Sequence, residues 1–571
     1  MTTEDSQNDE RDASESQRPE LRVLVDVVGV DLVAFMLALN PADVWNDSVL
    51  AGPRTAVAED IWTAAMGHTR PIKGSRHPWK TMREASRIDA FCRYDESRGT
   101  SAATDFHLRS GGIRPAIGGN SSLDDCLQLI AMDCFAARLI GSEQTHHSPS
   151  LVDKHPLMPT VRRWLRNESE PLTQLLRDAF AATDEADLRG RDRVTYNEQI
   201  EVDWSTGGGG SLSLRDIGTH IISSLLIDED LDARVLIRVA EAVRDGLGRA
   251  RRLAAGETVP VKTLIALGDL TLPRGAGPIE IAGGRIRRPT VLDRRLNSFA
   301  AEPDLILEVD QPVRFIEARL SPPPVHNGHE QLTRFVASSE RRKKFLPELI
   351  QASEDLQETI RRVRFAIVLA SPNEEVFRPV WRFTRQNHPL TSSGSNSHQP
   401  NPSPGVVKTQ LPPQIDAGTA VEIAEWAKKM AGLPDALKVG RRRLLKATTD
   451  RPDPLDKFID AVIVWESMFG TETETSFRVT GSMALLLEPE NIEARKALHK
   501  RLSDLYSHRS KLVHGAVGHD RESSKFKMAD VPEHANDAVR YAIDCFKRIL
   551  DDKGLFPLDS AARSKRIMLG F

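Results

Sequence analysis

Cysteine is scarce in this 571-residue chain. There are four, Cys92, Cys126, Cys134 and Cys545, and none forms a C-x-x-C pair. This excludes a disulfide framework and a thiolate zinc site, and it fits a reducing compartment. Charge of one sign is equally lacking: 77 Lys and Arg stand against 81 Asp and Glu, a formal net charge of −4. Binding of nucleic acid by bulk charge is excluded, whereas a local basic groove is not. No run approaches the roughly 18 apolar residues of a membrane helix. Residues 1–19, MTTEDSQNDERDASESQRP, have neither the basic start nor the apolar stretch of a secretory signal. They read as a disordered tail. The expectation is a cytoplasmic protein without a membrane partner.

What is present is the material of several globular cores. Hydrophobic residues make up 40% and charged residues 28%, as in ordinary soluble domains. The length corresponds to about three or four of them. Residues 21–40, LRVLVDVVGVDLVAFMLALN, are apolar but interrupted by Asp26 and Asp31, so they read as buried core. Residues 123–139 repeat apolar side chains at helical spacing (Leu123, Leu127, Ile130, Cys134). Segments 159–189 and 214–255 also read as helices, the latter with Asp216 and Asp228 as N-cap candidates. The block 256–320 changes to short β-branched runs broken by Gly and Pro, the pattern of strands and turns. Residues 328–362 return to helical spacing, and VRFAIVLAS (363–371) reads as a buried strand.

Residues 384–415 are rich in Ser, Asn, Pro and Gly and read as a linker. The expected organisation is α+β and multidomain. A tail (1–19) precedes a mixed α/β region (20–383), the linker (384–415), an all-α domain (416–551) and a C-terminal tail (552–571).

The most informative stretch is RKALHKRLSDLYSHRSKLVHG, residues 495–515. On a helix, Leu498, Leu502, Leu505, Tyr506, Leu512 and Val513 share one face about 120° wide. Arg509 falls in the middle of it. A guanidinium stays charged at any ordinary pH and cannot remain dry without partners. A carboxylate such as Glu466, a second subunit or a substrate phosphate would have to meet it. Gly515 supplies a helix stop, which puts His514 in the last turn, where the dipole favours the imidazolium. Arg509 and His514 form R-x4-H. An arginine that forks onto phosphate oxygens, beside a histidine that titrates near neutrality, is the minimum kit for metal-free RNA cleavage. On one straight helix the two side chains lie about 140° apart, so a shared phosphate needs local unwinding or a second copy of the motif.

Three stretches, LDKFIDAVIVWESMFG (455–470), FRVTGSMALLLEP (477–489) and LSDLYSHRSKLVHG (502–515), resemble the HEPN superfamily, and more narrowly its ApeA-like domain. The resemblance covers residues 454–551. It implies a helical bundle, an endoribonuclease of the R-x4-6-H type without cofactor or metal, and an antiphage or toxin-type effector. It further implies a homodimer with two motifs facing one cleft, and Arg509 and His514 as the catalytic pair. Glu466 matches a recurrent acidic position and Ser510 stands where the wider superfamily often has Asn, Asp or His, so both are supporting candidates. On this reading the region 20–383 would sense a phage-derived trigger or restrain the nuclease. The alternative is a non-catalytic dimerisation module that binds RNA or protein.

Other signals in the chain are weaker. Asp304, then Glu317 and Arg319, resemble a PD-(D/E)xK nuclease with arginine in the lysine place, the second alternative function. Gly207–Gly210 lack the ending of a phosphate loop and read as a flexible loop. His146, His147 and His155 have no sequence partner at metal spacing and read as a surface loop. Among the basic clusters RARR (249–252), RRKK (341–344) and RRR (441–443), the last precedes the helical domain, so Arg441, Arg442 and Arg443 are the candidate RNA contacts.

Overall fold

The structure is a computed structural model. It describes residues 20–69, 82–118, 121–140, 147–167, 169–174, 199–206, 209–226, 236–290, 303–320, 345–372, 375–390, 412–471, 475–513 and 528–570, with the single residues 178, 293 and 343. Among these the chain is α+β, helices with small antiparallel sheets, and no helix is long and apolar enough to cross a membrane.

The apolar run 21–40 folds as α1 (Leu21–Val28) and α2 (Val30–Met36). Gly29 separates them at φ 108, a backbone state that glycine reaches without a Cβ clash. Asp26 and Asp31 stay exposed while the leucines, Val25, Val27, Val28, Val33 and Phe35 are buried. Helices α3 (Pro53–Met66), α4 (Ala102–Arg109), α5 (Leu123–Cys134), α6 (Leu214–Leu226) and α7 (Leu236–Ala254) extend this core. Helix α5 buries Leu123, Leu127, Ile130 and Cys134, the stripe read from spacing. Asp216 is not an N-cap. It lies inside the first turn of α6, and the Ser213 hydroxyl accepts from the Arg215 N–H at that entry. Asp228 lies outside the described residues, as does most of 159–189 beyond the short helix Met158–Trp164.

The block 256–320 forms β3 (Val259–Gly268), β4 (Ile279–Ile281), β5 (Gly284–Arg287), β6 (Leu305–Val313) and β7 (Phe315–Leu320), and three strands outside it, β1 (Gln199–Trp204), β2 (Gly209–Ser213) and β8 (Val380–Gln386), complete their sheets. They form a three-stranded sheet in the order β2-β1-β7 and a five-stranded sheet in the order β8-β3-β6-β5-β4, all antiparallel. Alternation decides the two faces of the larger sheet. Ile265, Leu267, Leu305 and Leu307 join one core, and Leu264, Ala266, Ile306 and Phe383 cluster apart from it.

VRFAIVLAS is not a strand. Residues 363–369 are the last turns of α8 (Leu346–Leu369). Every side chain from Val363 to Leu369 is buried, so the segment has no wet face and no helical periodicity to read. The Phe365 ring meets Phe546 edge-on at 5.0 Å. That contact ties α8 to the C-terminal helices α9 (Ala417–Lys429), α10 (Asp435–Leu445), α11 (Pro454–Phe469), α12 (Thr475–Leu487), α13 (Ile492–Val513) and α14 (Val531–Asp551). These helices share one hydrophobic core with α8 and the inner face of the five-stranded sheet.

The stretch read as a linker is structured at both ends. Thr384–Gln386 belong to β8, Gln414 bridges Thr271, and Ile415 is buried. His388 and Leu390 are also buried, and the His388 ring lies 3.7 Å from that of Trp204. Desolvation pushes the His388 imidazole down to about 3, from an ordinary value near 6.5. The folded chain therefore resists a proton that the unfolded chain accepts. The contribution is intact above about pH 6.5 and shrinks as pH falls below it. Acid-unfolding curves should show this loss, and His388→Gln should flatten it.

The C-terminal tail is docked. Helix α15 (Ser560–Leu569) packs on α11 and α12. Asp559 caps it, accepting from the Ala562 N–H, and Gly570 closes it in the left-handed region.

Candidate functional site

Helix α13 carries the site. Leu502 and Leu505 are fully buried and hold one face of the helix in the core, with Leu498, Tyr506 and Leu512 half-buried against it. Val513, at the described end, is exposed. The apolar stripe is therefore sealed in its middle and opens toward the C-terminus, where Arg509 sits. Its side chain is 19% exposed.

Glu466 comes from α11, which runs against the same face. Its Oε1 accepts a hydrogen bond from the Tyr506 hydroxyl at 2.7 Å. Its Oε2 lies 3.5 Å from Arg509 Nη2, beyond the range of a good hydrogen bond. Arg509 Nε is buried and has no acceptor among the described residues. Among the described residues the guanidinium thus has five donors and one loose contact. The Tyr506 phenol is pushed up to about 12, by burial and then by its bond to Glu466, so it serves as a donor and a packing group. Ser510 follows Arg509 half-buried on the same helix. His514 and Gly515 lie outside the described residues.

The structure adds two histidines that the sequence reading passed over. His508 and His534, the latter in the first turn of α14, stack with centroids 5.1 Å apart and planes 24° apart. Burial, then the nearby His534, lowers the His508 pKa. The signal for His508 was its place directly before Arg509. A helix turns about 100° per residue, so it faces α14 while Arg509 faces Glu466.

The RRR cluster is not a basic stripe. Three successive helical residues point to three sides. Arg441 is 2% exposed and forks onto Glu358 of α8 with both bonds at 2.5 Å. Arg443 donates to the buried Asp460 at 2.7 Å. Arg442 is exposed. Arg441→Ala should therefore cost about 2 kcal/mol of stability, and leave RNA affinity unchanged in a filter-binding assay at a temperature where the variant is folded.

Asp304 and Glu317 are not brought together. Asp304 precedes β6 and accepts from the Asp269 N–H at 2.7 Å. Glu317 and Arg319 lie in β7, in the other sheet, where Glu317 pairs with Asp203. The nine residues of β6 separate the two acids, roughly 30 Å of extended chain. The Gly207–Gly210 stretch joins β1 to β2, and Gly209 and Gly210 are strand residues. His155 is not on a surface loop. It is buried and hydrogen-bonded through Nε2 to Asp133 at 3.2 Å, with Nδ1 accepting from the Leu157 N–H. The partner lies 22 residues away in sequence, which is why spacing did not reveal it. Among the described residues no group of three or more His, Cys, Asp or Glu is placed to hold a metal ion.

Together these observations define an α+β chain with an under-coordinated arginine at the open end of a helical face. No protein-family model, curated protein or solved structure matches the chain.

Proposed function

We propose that residues 416–551 are a HEPN-type helical domain and that the chain is a metal-independent endoribonuclease acting through Arg509 and His514. The observation that carries this reading is the state of Arg509. A side chain four-fifths withdrawn from water, with an Nε that meets no acceptor among the described residues and a 3.5 Å ion pair, has donors to spare for phosphate oxygens. The resemblance in the three quoted stretches supplies the rest.

In the proposed reaction His514 removes the proton of a ribose 2′-hydroxyl. The 2′-oxygen attacks phosphorus and the P–O5′ bond breaks. A proton is delivered to the leaving 5′-oxygen, leaving a 2′,3′-cyclic phosphate and a 5′-hydroxyl. Arg509 stabilises the charge that develops on the phosphorane oxygens. Glu466 restrains the guanidinium through its free oxygen while Tyr506 holds the other. Because Arg509 and His514 diverge on a straight helix, a homodimer with two facing motifs completes the cleft. The large N-terminal region would restrain the nuclease until a phage-derived trigger arrives, the division of labour of an intracellular toxin-type effector.

The test is end-group mapping of cellular RNA after expression of the chain. Cyclic phosphate ends that persist in EDTA and disappear in both Arg509→Ala and His514→Ala are expected. Equal activity in all three proteins would remove the catalytic assignment and leave a binding module.

A further inference from the structure

At the start of α11 and α14 a pocket of about 130 Å³ opens between the bundle and the segment that leads into β8. Three cations line it: Arg378, Arg451 and Lys457. Arg451 is already neutralised, its Nε donating to Asp460 at 3.0 Å and its Nη1 3.5 Å from Asp456. The other two are not. Lys457 donates to the neutral amide oxygen of Asn536 at 2.7 Å. Arg378 donates through Nε to the Thr448 carbonyl at 3.2 Å. Neither forms an ion pair among the described residues.

Two like charges held together beside low-dielectric walls repel each other and attract an anion. The fold adds to this. Helices α11 and α14 are 16 and 21 residues long, and the positive ends of both dipoles meet here, with Pro454 and Pro532 lining the pocket. Asn536 accepts from Lys457 through its oxygen, and its Nδ2, which donates to no group among the described residues, is a third donor type. The pocket is open to solvent on one side and roomy enough for a phosphate group.

We propose that this pocket binds a phosphoryl oxyanion, clamped by Lys457, Arg378 and Asn536. The group would come from free phosphate or from a polynucleotide backbone. The site contains neither Arg509 nor Glu466, and it stands whether or not the chain cuts RNA. Burial and the nearby Arg378 push the Lys457 ammonium down to about 8, consistent with an unmet positive field.

The experiment is amine acylation of the full chain near pH 8, read at Lys457 by peptide mass spectrometry. Inorganic phosphate is added in one arm and an oligodeoxyribonucleotide, which cannot undergo 2′-hydroxyl cleavage, in the other. Exposed Lys496 serves as the control. At an anion concentration about ten times its Kd, occupancy of the pocket should slow labelling of Lys457 about tenfold, with Lys496 unchanged. Protection by phosphate alone assigns the site to free phosphate, and protection by the oligonucleotide alone assigns it to a backbone. Arg378→Gln should remove the protection in either case. Labelling of Lys457 that neither anion slows would overturn the proposal, and it needs no variant that might misfold.

Discussion

Arg509→Ala should lower RNA cleavage by about 10²- to 10³-fold in kcat, the usual cost of removing one group that stabilises developing oxyanion charge. The fold should tolerate the change. Glu466 keeps its bond to the Tyr506 hydroxyl, and what is lost is a 3.5 Å ion pair together with a buried Nε that no acceptor meets among the described residues. A cation in that state contributes little stability, so thermal unfolding should move hardly at all. Arg509→Lys should recover little activity, since an ammonium cannot fork onto two oxygens. His514→Ala should cost about 10²- to 10⁴-fold as a lost general acid or base. Single-turnover cleavage of a defined RNA, alongside melting curves, checks both quantities. A large fall in melting temperature for Arg509→Ala, with residual activity tracking the folded fraction, would make the arginine structural.

Arg563→Ala should be the most destabilising single change at the C-terminus. This guanidinium is fully buried in α15. It donates to three main-chain carbonyls, those of Met468 at 2.6 Å, Leu555 at 3.2 Å and Leu558. Met468 lies in the last turn of α11, so the arginine bolts the tail to the helix that carries Glu466. Deleting it takes a donor from all three carbonyls, of which Leu555 keeps the Leu558 N–H; each carbonyl left unmet costs about 1–3 kcal/mol, the lost packing adds to this, and water entering the cavity recovers part of it. The expected net loss is roughly 3–5 kcal/mol, read from chemical denaturation. Desolvation also pushes the guanidinium below its ordinary range, to about 10, so the folded state already carries the cost of burying the charge. Arg563→Met removes that cost but keeps much of the volume, and it should fall between the alanine variant and the parent. If Arg563→Ala and the parent unfold together, the docking of α15 has been misjudged.

Helical elements with one wet face were legible from residues alone. The stripe of α5 and the leucines of α13 follow from spacing, because burial on one side leaves a period to detect. The strands between residues 259 and 313 were legible for the same reason at a period of two. The end of α8 was not, since a segment buried on every side looks alike as helix or strand. The 384–415 stretch misled in another way. Its composition is that of a loop, yet His388, Leu390 and Ile415 are buried. A few anchoring residues do not change the average composition of a segment.

The site divides along the same line. Sequence by itself determined that a permanent cation stands in an apolar helical stripe five residues before a histidine, because residue type and a rotation of about 100° per residue suffice for that. Only the tertiary structure decided what that cation meets. It set Glu466 to share its two oxygens between Tyr506 and Arg509, and it turned Arg441 inward to Glu358. It also brought Arg378 beside Lys457, 79 positions away. Contacts between residues far apart in the chain depend on how helices and sheet pack, and the local spacing of residues carries no record of that packing.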